Sequence, residues 1–96
     1  MQVGMCKMKL HLPESQSLKD KRRVLKSTIT RVRNNYNVSI AEVADQDLWQ
    51  IATLGISCTT NSNPQAHEIL SKVVSFIQCG KFDFEVVDVE TEIISF

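Results

Sequence analysis

The chain reads as two successive strand-helix-strand units of almost equal length, residues 3–44 and 48–94, joined by the short polar segment Asp45-Gln46-Asp47. A connection that short between two β-rich runs is hairpin length, so the second and third strands are antiparallel neighbours. In the first unit, Val3 to Leu12 alternates strictly. Gly4, Cys6, Met8, Leu10 and Leu12 fall on one side, and Val3, Met5, Lys7, Lys9 and His11 on the other, the pattern of a half-buried strand. Pro13 ends it. Ser17 followed three residues later by Asp20 reads as a capping-box-like helix start, with Asp in place of the usual Glu or Gln. Leu18, Leu25, Ile29, Val32 and Tyr36 then fall within a sector of about 60° at 100° per residue, predicting a helix over 18–35 that leaves at Asn34-Asn35.

The second unit repeats the order. Val38–Ala44 and Leu48–Thr60 are β-branched, apolar runs. Asn63 is placed as a cap with Pro64 as the first helical residue, and Ala66, Ile69, Leu70, Val73 and Ile77 form a stripe that stops before Gly80. Phe82–Ile94 closes the chain as an alternating strand, Val87, Val89 and Ile93 against Val86, Asp88, Glu90 and Glu92. Right-handed crossovers put both helices on one face of a four-stranded antiparallel sheet. The expected fold is therefore α+β, a single ferredoxin-like β-α-β-β-α-β domain over 1–96 with the other sheet face open. At 43% apolar residues, 96 residues are enough for one core and too few for two. No apolar run approaches the roughly 20 residues of a membrane span, and Lys7 and Lys9 interrupt the apolar start, so a cytosolic, membrane-free protein is expected. Cys6, Cys58 and Cys79 are odd in number and set among apolar residues, which predicts buried free thiols.

Charge is the feature that speaks to function. The net charge is zero, yet residues 1–48 hold nine Lys or Arg against five Asp or Glu, and residues 49–96 hold two against six. Seven of the eleven basic residues lie in the first helix. Lys19, Arg22, Arg23, Lys26 and Arg33 share a sector of about 100° beside its apolar face. Cations in a helix's first turns oppose its macrodipole, at a cost of roughly 0.3 to 1 kcal/mol each, so helix stability does not account for them. Two readings fit: a stripe that binds RNA or another ribosomal polyanion, or a solvated face neutralised by the acidic last strand.

On the open sheet face, Lys7, Lys9 and His11 would stand between Trp49, Ile51, Thr53 and Gly55 on one side and Asp88, Glu90 and Glu92 on the other. Met5, Trp49, Ile51 and Val86 would join into an apolar patch for a partner or a second copy, which makes a homodimer the alternative to RNA binding; Trp49 fits a core position equally. Enzyme constellations are missing. His11 and His67 are isolated, no paired Cys or His spacing suits a metal, and no Gly-rich phosphate loop exists, so neither catalysis nor a metal or cofactor is expected. Ser15, Ser17 and the amides opening the first helix, beside Lys19 and Lys21, form a candidate phosphate cradle, against the simpler reading of a cap. Glu42, Asp45 and Asp47 are an acidic cluster that turn chemistry explains more simply than a cation.

The runs Leu12-Pro13-Glu14-Ser15-Gln16-Ser17-Leu18-Lys19-Asp20-Lys21-Arg22-Arg23-Val24-Leu25-Lys26-Ser27, Asn37-Val38-Ser39, Ala41-Glu42-Val43, Asp45-Gln46-Asp47-Leu48-Trp49-Gln50 and Leu54-Gly55 resemble the YlxP-like bacterial family of unknown function. The match covers nearly the whole chain and is weakest after Gly80. The resemblance implies a ferredoxin-like domain whose genes typically neighbour those of translation-initiation and ribosome-maturation factors, hence a role near the ribosome. It lends no catalytic residues, and it marks Ser17 to Arg23 and Asp47 to Gln50 as the place for a site. RNA-recognition motifs share the element order but need stacking aromatics where Lys7, Lys9, Thr53 and Gly55 stand. Acylphosphatases need an Arg before the first helix, and Pro13 to Gln16 holds none.

Overall fold

A computed structural model describes residues 1–96. The elements are β1 (Gln2–His11), α1 (Leu18–Asn35), β2 (Ser39–Ala44), β3 (Ile51–Thr60), α2 (Asn63–Cys79) and β4 (Glu85–Ser95). All strand pairs are antiparallel in the order β2-β3-β1-β4. This is the expected ferredoxin-like α+β arrangement.

The alternation in β1 decides what the sheet buries. Cys6, Met8 and Leu10 pair with Ile56, Leu54 and Ala52 of β3, and all six point to the helix side with exposures of 3% or less. Leu25 and Val32 of α1 and Ala66, Leu70, Val73 and Ile77 of α2 close the core from above. Ser17 caps α1 through Oγ, which accepts from Asp20 N at 3.0 Å, while Asp20 Oδ2 accepts from Gln16 N at 3.0 Å. The reciprocal cap read from the sequence is thus present, shifted by one residue on its second arm. Ser62 rather than Asn63 caps α2, accepting from Gln65 N, and Pro64 sits one position further in.

Two strands carry an extra residue. Between Glu42↔Leu54 and Ala44↔Thr53, Val43 is bulged and its Cγ1 leans over Gly55, where a Cβ would lie only 2.7 Å away. Between Lys9↔Asp88 and Leu10↔Val86, Val87 is the extra residue. The second bulge corrects the expected phase of the last strand: Val86 joins Val89 and Ile93 against the core, and Val87 is pushed out to solvent. Phe82 and Phe84 belong to the approach to β4, stacked on one another with centroids 5.2 Å apart. Trp49 likewise precedes β3, because Leu48 to Gln50 are drawn into the β2-β3 loop.

Candidate nucleic-acid interface

Helix α1 presents its basic residues to five different environments, and these environments sort the residues by what they can do. Lys21 is the surprise. It lies in line with Leu25, Thr28 and Val32 on the buried face of α1 and is itself 1% exposed. Its Nζ donates to Asp45 O at 2.9 Å, Ile51 O at 3.1 Å and Gln46 O at 3.3 Å. Glu42 Oε2, on the helix side of β2, sits 2.8 Å from the same nitrogen. That contact is an ion pair off hydrogen-bonding angles, since Oε2 has no directed donor. The spacing i, i+4, i+7, i+11 with Leu25, Thr28 and Val32 was the available signal. A lysine on an apolar stripe is either a stem lying along the surface or a buried ammonium, and only the carbonyls waiting in the loop select the second.

Arg31 is taken up by the opposite flank. Its guanidinium lies 4.4 Å from the Phe82 ring centroid and 5.7 Å from that of Phe76, a cation-π contact that ties α1 to α2 and to the approach to β4. Arg33 donates to Ile40 O at 3.1 Å, covering an outward carbonyl on edge strand β2. Arg23 pairs with Asp20 at 2.8 Å across one turn, with 75% of its side chain in solvent. Lys19, Arg22 and Lys26 are exposed and take part in none of the ion pairs of the molecule. Spaced i, i+3 and i+7, they form a row about 10 Å long.

This row lies on the flank of α1 next to β2, the side on which Arg33 reaches Ile40. The carboxylates that would neutralise it are elsewhere. Asp88, Glu90 and Glu92 pair in register with Lys9, Lys7 and Met5, so they occupy the open face of the sheet, on its opposite edge strand. Three strand spacings, about 14 Å, and the thickness of the sheet separate the two sets. The expected open-face residues Lys7, Lys9, His11, Thr53 and Gly55 are in place, and His11 Nδ1 meets Glu85 at 3.3 Å.

The apolar patch expected on that face is not assembled. Val86 faces the core. Met5 pairs with Ser57 and Ile51 with His11, six residues or about 20 Å apart along the strands, with Lys7 and Lys9 between them. Trp49, at 56% exposure, stands in the loop rather than on the sheet, and it is not a core residue. The phosphate cradle also fails. Ser15 is buried and its Oγ donates to Ser17 O, Ser17 Oγ is spent on the cap, Asp20 holds an amide of the turn with its carboxylate, and Lys21 points into the core. Of the acidic cluster, Glu42 answers Lys21 and Asp45 accepts from Thr53 Oγ1 at 2.7 Å. Cys79 is exposed at the end of α2, against the expectation of a third buried thiol, while Cys6 and Cys58 are buried and burial pushes the Cys6 thiol up to about 11.

No helix is long and apolar enough to cross a membrane. The two runs that the family resemblance marks as the place for a site, Ser17–Arg23 and Asp47–Gln50, meet at one end of the molecule: Lys21 binds the loop carbonyls, and Gln50 Nε2 donates to Ser15 O at 3.1 Å and to Pro13 O at 3.3 Å. The structure of a REP-associated tyrosine transposase bound to a REP hairpin is similar at a TM-score of 0.45 and 13% identity, over 98% of this chain and 56% of that one, so this chain spans about half its length. Uncharacterized protein YlxP of Bacillus subtilis (strain 168) is 40% identical over 75 residues, 78% of this chain and 82% of that protein. Residues 3–91 match the family described as Protein of unknown function (DUF503), and the chain belongs to that family.

Proposed function

We propose that this protein is a non-enzymatic RNA-binding module of the cytosol, serving translation or ribosome maturation, and that it meets RNA phosphates with the row Lys19, Arg22 and Lys26. The observation that carries the reading is the separation of charge across the sheet. Three cations face solvent without a partner, on the far side and the far edge from the β4 carboxylates. The Debye length is about 8 Å at physiological salt, so carboxylates about 14 Å or more away do little to neutralise the row. Arg23 alongside the row and Arg33 beyond its C-terminal end extend the positive field, each through a partner it can share. The ribosome as the source of the RNA follows the expectation attached to the family resemblance.

The test is cosedimentation with ribosomes and binding to RNA across a salt series. A Lys19→Ala/Arg22→Ala/Lys26→Ala variant, checked for folding by circular dichroism, is expected to lose cosedimentation at moderate salt. The slope of log affinity against log salt on single-stranded RNA should become shallower by about 2. Binding and salt slope unchanged in the triple variant would sink the reading.

A further inference from the structure

The loop between β2 and β3 is braced from both sides, yet it holds two large apolar side chains out in water. Asp45 turns the chain with φ 60°. Lys21 Nζ ties the carbonyls of Asp45, Gln46 and Ile51, Leu48 N donates to Asp45 O at 3.1 Å, and Gln50 is fixed by its side chain to Pro13 and Ser15 and by its carbonyl to Leu12 N at 2.8 Å. Every brace from outside the loop acts on its ends. At its tip, Leu48 is 49% and Trp49 56% exposed. A mobile loop would fold such residues down onto the surface, whereas this one is built on a buried ammonium that holds its backbone in place.

The braces also fix where the tip stands. Its anchors, Pro13, Ser15 and Lys21, are the entry and first turn of α1, so the indole is at the same end of the molecule as Lys19 and Arg22. Asp45 is turned to Thr53 and Asp20 to Arg23, which leaves Glu14 and Asp47 as the unpaired anions of the loop and the helix entry against three unpaired cations. A half-exposed indole on a braced loop, at the same end of the molecule as ammonium and guanidinium groups, recognises an aromatic ligand that carries its own negative charge, which is the chemistry of an unpaired nucleotide. A duplex hides its base faces and offers the indole nothing.

We propose that Trp49 is a stacking platform for an unpaired base in an RNA strand whose phosphates run along Lys19, Arg22 and Lys26; this rests on the reading of that row as a phosphate-binding surface. Trp49 is the single tryptophan of the chain, so its own fluorescence reports the contact. Titration with a short oligouridylate should quench the emission, and a duplex RNA of equal length should not. Trp49→Ala should weaken oligouridylate binding roughly tenfold and duplex binding by less than about twofold, while Trp49→Phe keeps most of the affinity. Emission unchanged at saturation, with equal affinity in Trp49→Ala, would overturn the stacking role. If the triple variant in the α1 row still lost binding in that case, the phosphate reading would stand without it. Failure of both RNAs to bind would remove both, and an emission shift that follows protein concentration and dimer formation in sedimentation would assign the indole to a second copy instead.

Discussion

Lys21 is the residue whose role departs furthest from its surroundings in the sequence. Among its basic neighbours it alone is withdrawn from solvent, with three carbonyl oxygens and one carboxylate around an ammonium that has three protons. Removing it leaves Glu42 unpaired and takes a donor from each of three carbonyls, of which Asp45 O keeps Leu48 N. Lys21→Ala is therefore expected to destabilise the fold by about 3 to 5 kcal/mol in urea unfolding, whereas Lys26→Ala, about one and a half turns further along α1 and in solvent, should stay within about 0.5 kcal/mol. The thiols divide in the same way. In the native protein Cys79 should react with iodoacetamide at once, and Cys6 and Cys58 only after unfolding, as read by mass spectrometry. Burial raises the Cys6 thiol from 9.0 to about 11, so the unfolded chain loses this proton first as pH rises. Its contribution to stability is complete below about pH 9 and is lost toward pH 11, and Cys6→Ala should flatten stability over that window.

At the scale of elements, the helices and the first strand were legible and the strand ends were not. Period and caps are local properties, so α1 falls at Leu18–Asn35 as expected and β1 alternates as read. A bulge is a property of two strands at once. Nothing within Phe82–Ile94 says that Val87 lacks a place opposite β1, and the alternation read straight through it put Val86 on the wrong face. The β2 bulge makes its own demand: Val43 crosses Gly55, and a methyl there would press on Cγ1. Gly55→Ala is expected to cost about 1 to 2 kcal/mol, with much of that returned in Gly55→Ala/Val43→Ala, where the crossing side chain is trimmed; a double-mutant cycle in urea measures the coupling.

Over the whole molecule, the order β2-β3-β1-β4 is what divides the charges. The basic helix flanks one edge of the sheet, and the acidic strand forms the other edge with its carboxylates on the opposite face. The two readings of the α1 stripe left open by the linear charge pattern differ only in this geometry. If the β4 carboxylates are as remote as the sheet makes them, Asp88→Asn/Glu90→Gln/Glu92→Gln should change RNA affinity by less than about twofold at physiological salt, where the Debye length is about 8 Å. A strengthening comparable to the loss in the α1 triple variant would mean that the two sets of charges act on one another.

The sequence by itself determined the element order, the core faces of the two helices and of β1, the start of α1 and the concentration of cations along it, because each follows from spacing along a single segment. Tertiary structure decided which of those cations are free. Lys21, Arg31 and Arg33 find their partners on the β2-β3 loop, on Phe82 beyond α2 and on β2, all brought to α1 by folding. It also decided that Trp49 is held outward, since the contacts that tie its loop to the rest of the molecule through Lys21 and the Gln50 side chain span 24 or more residues along the chain. A hydrogen bond or an ion pair across such a separation leaves no periodic trace in the residues that make it.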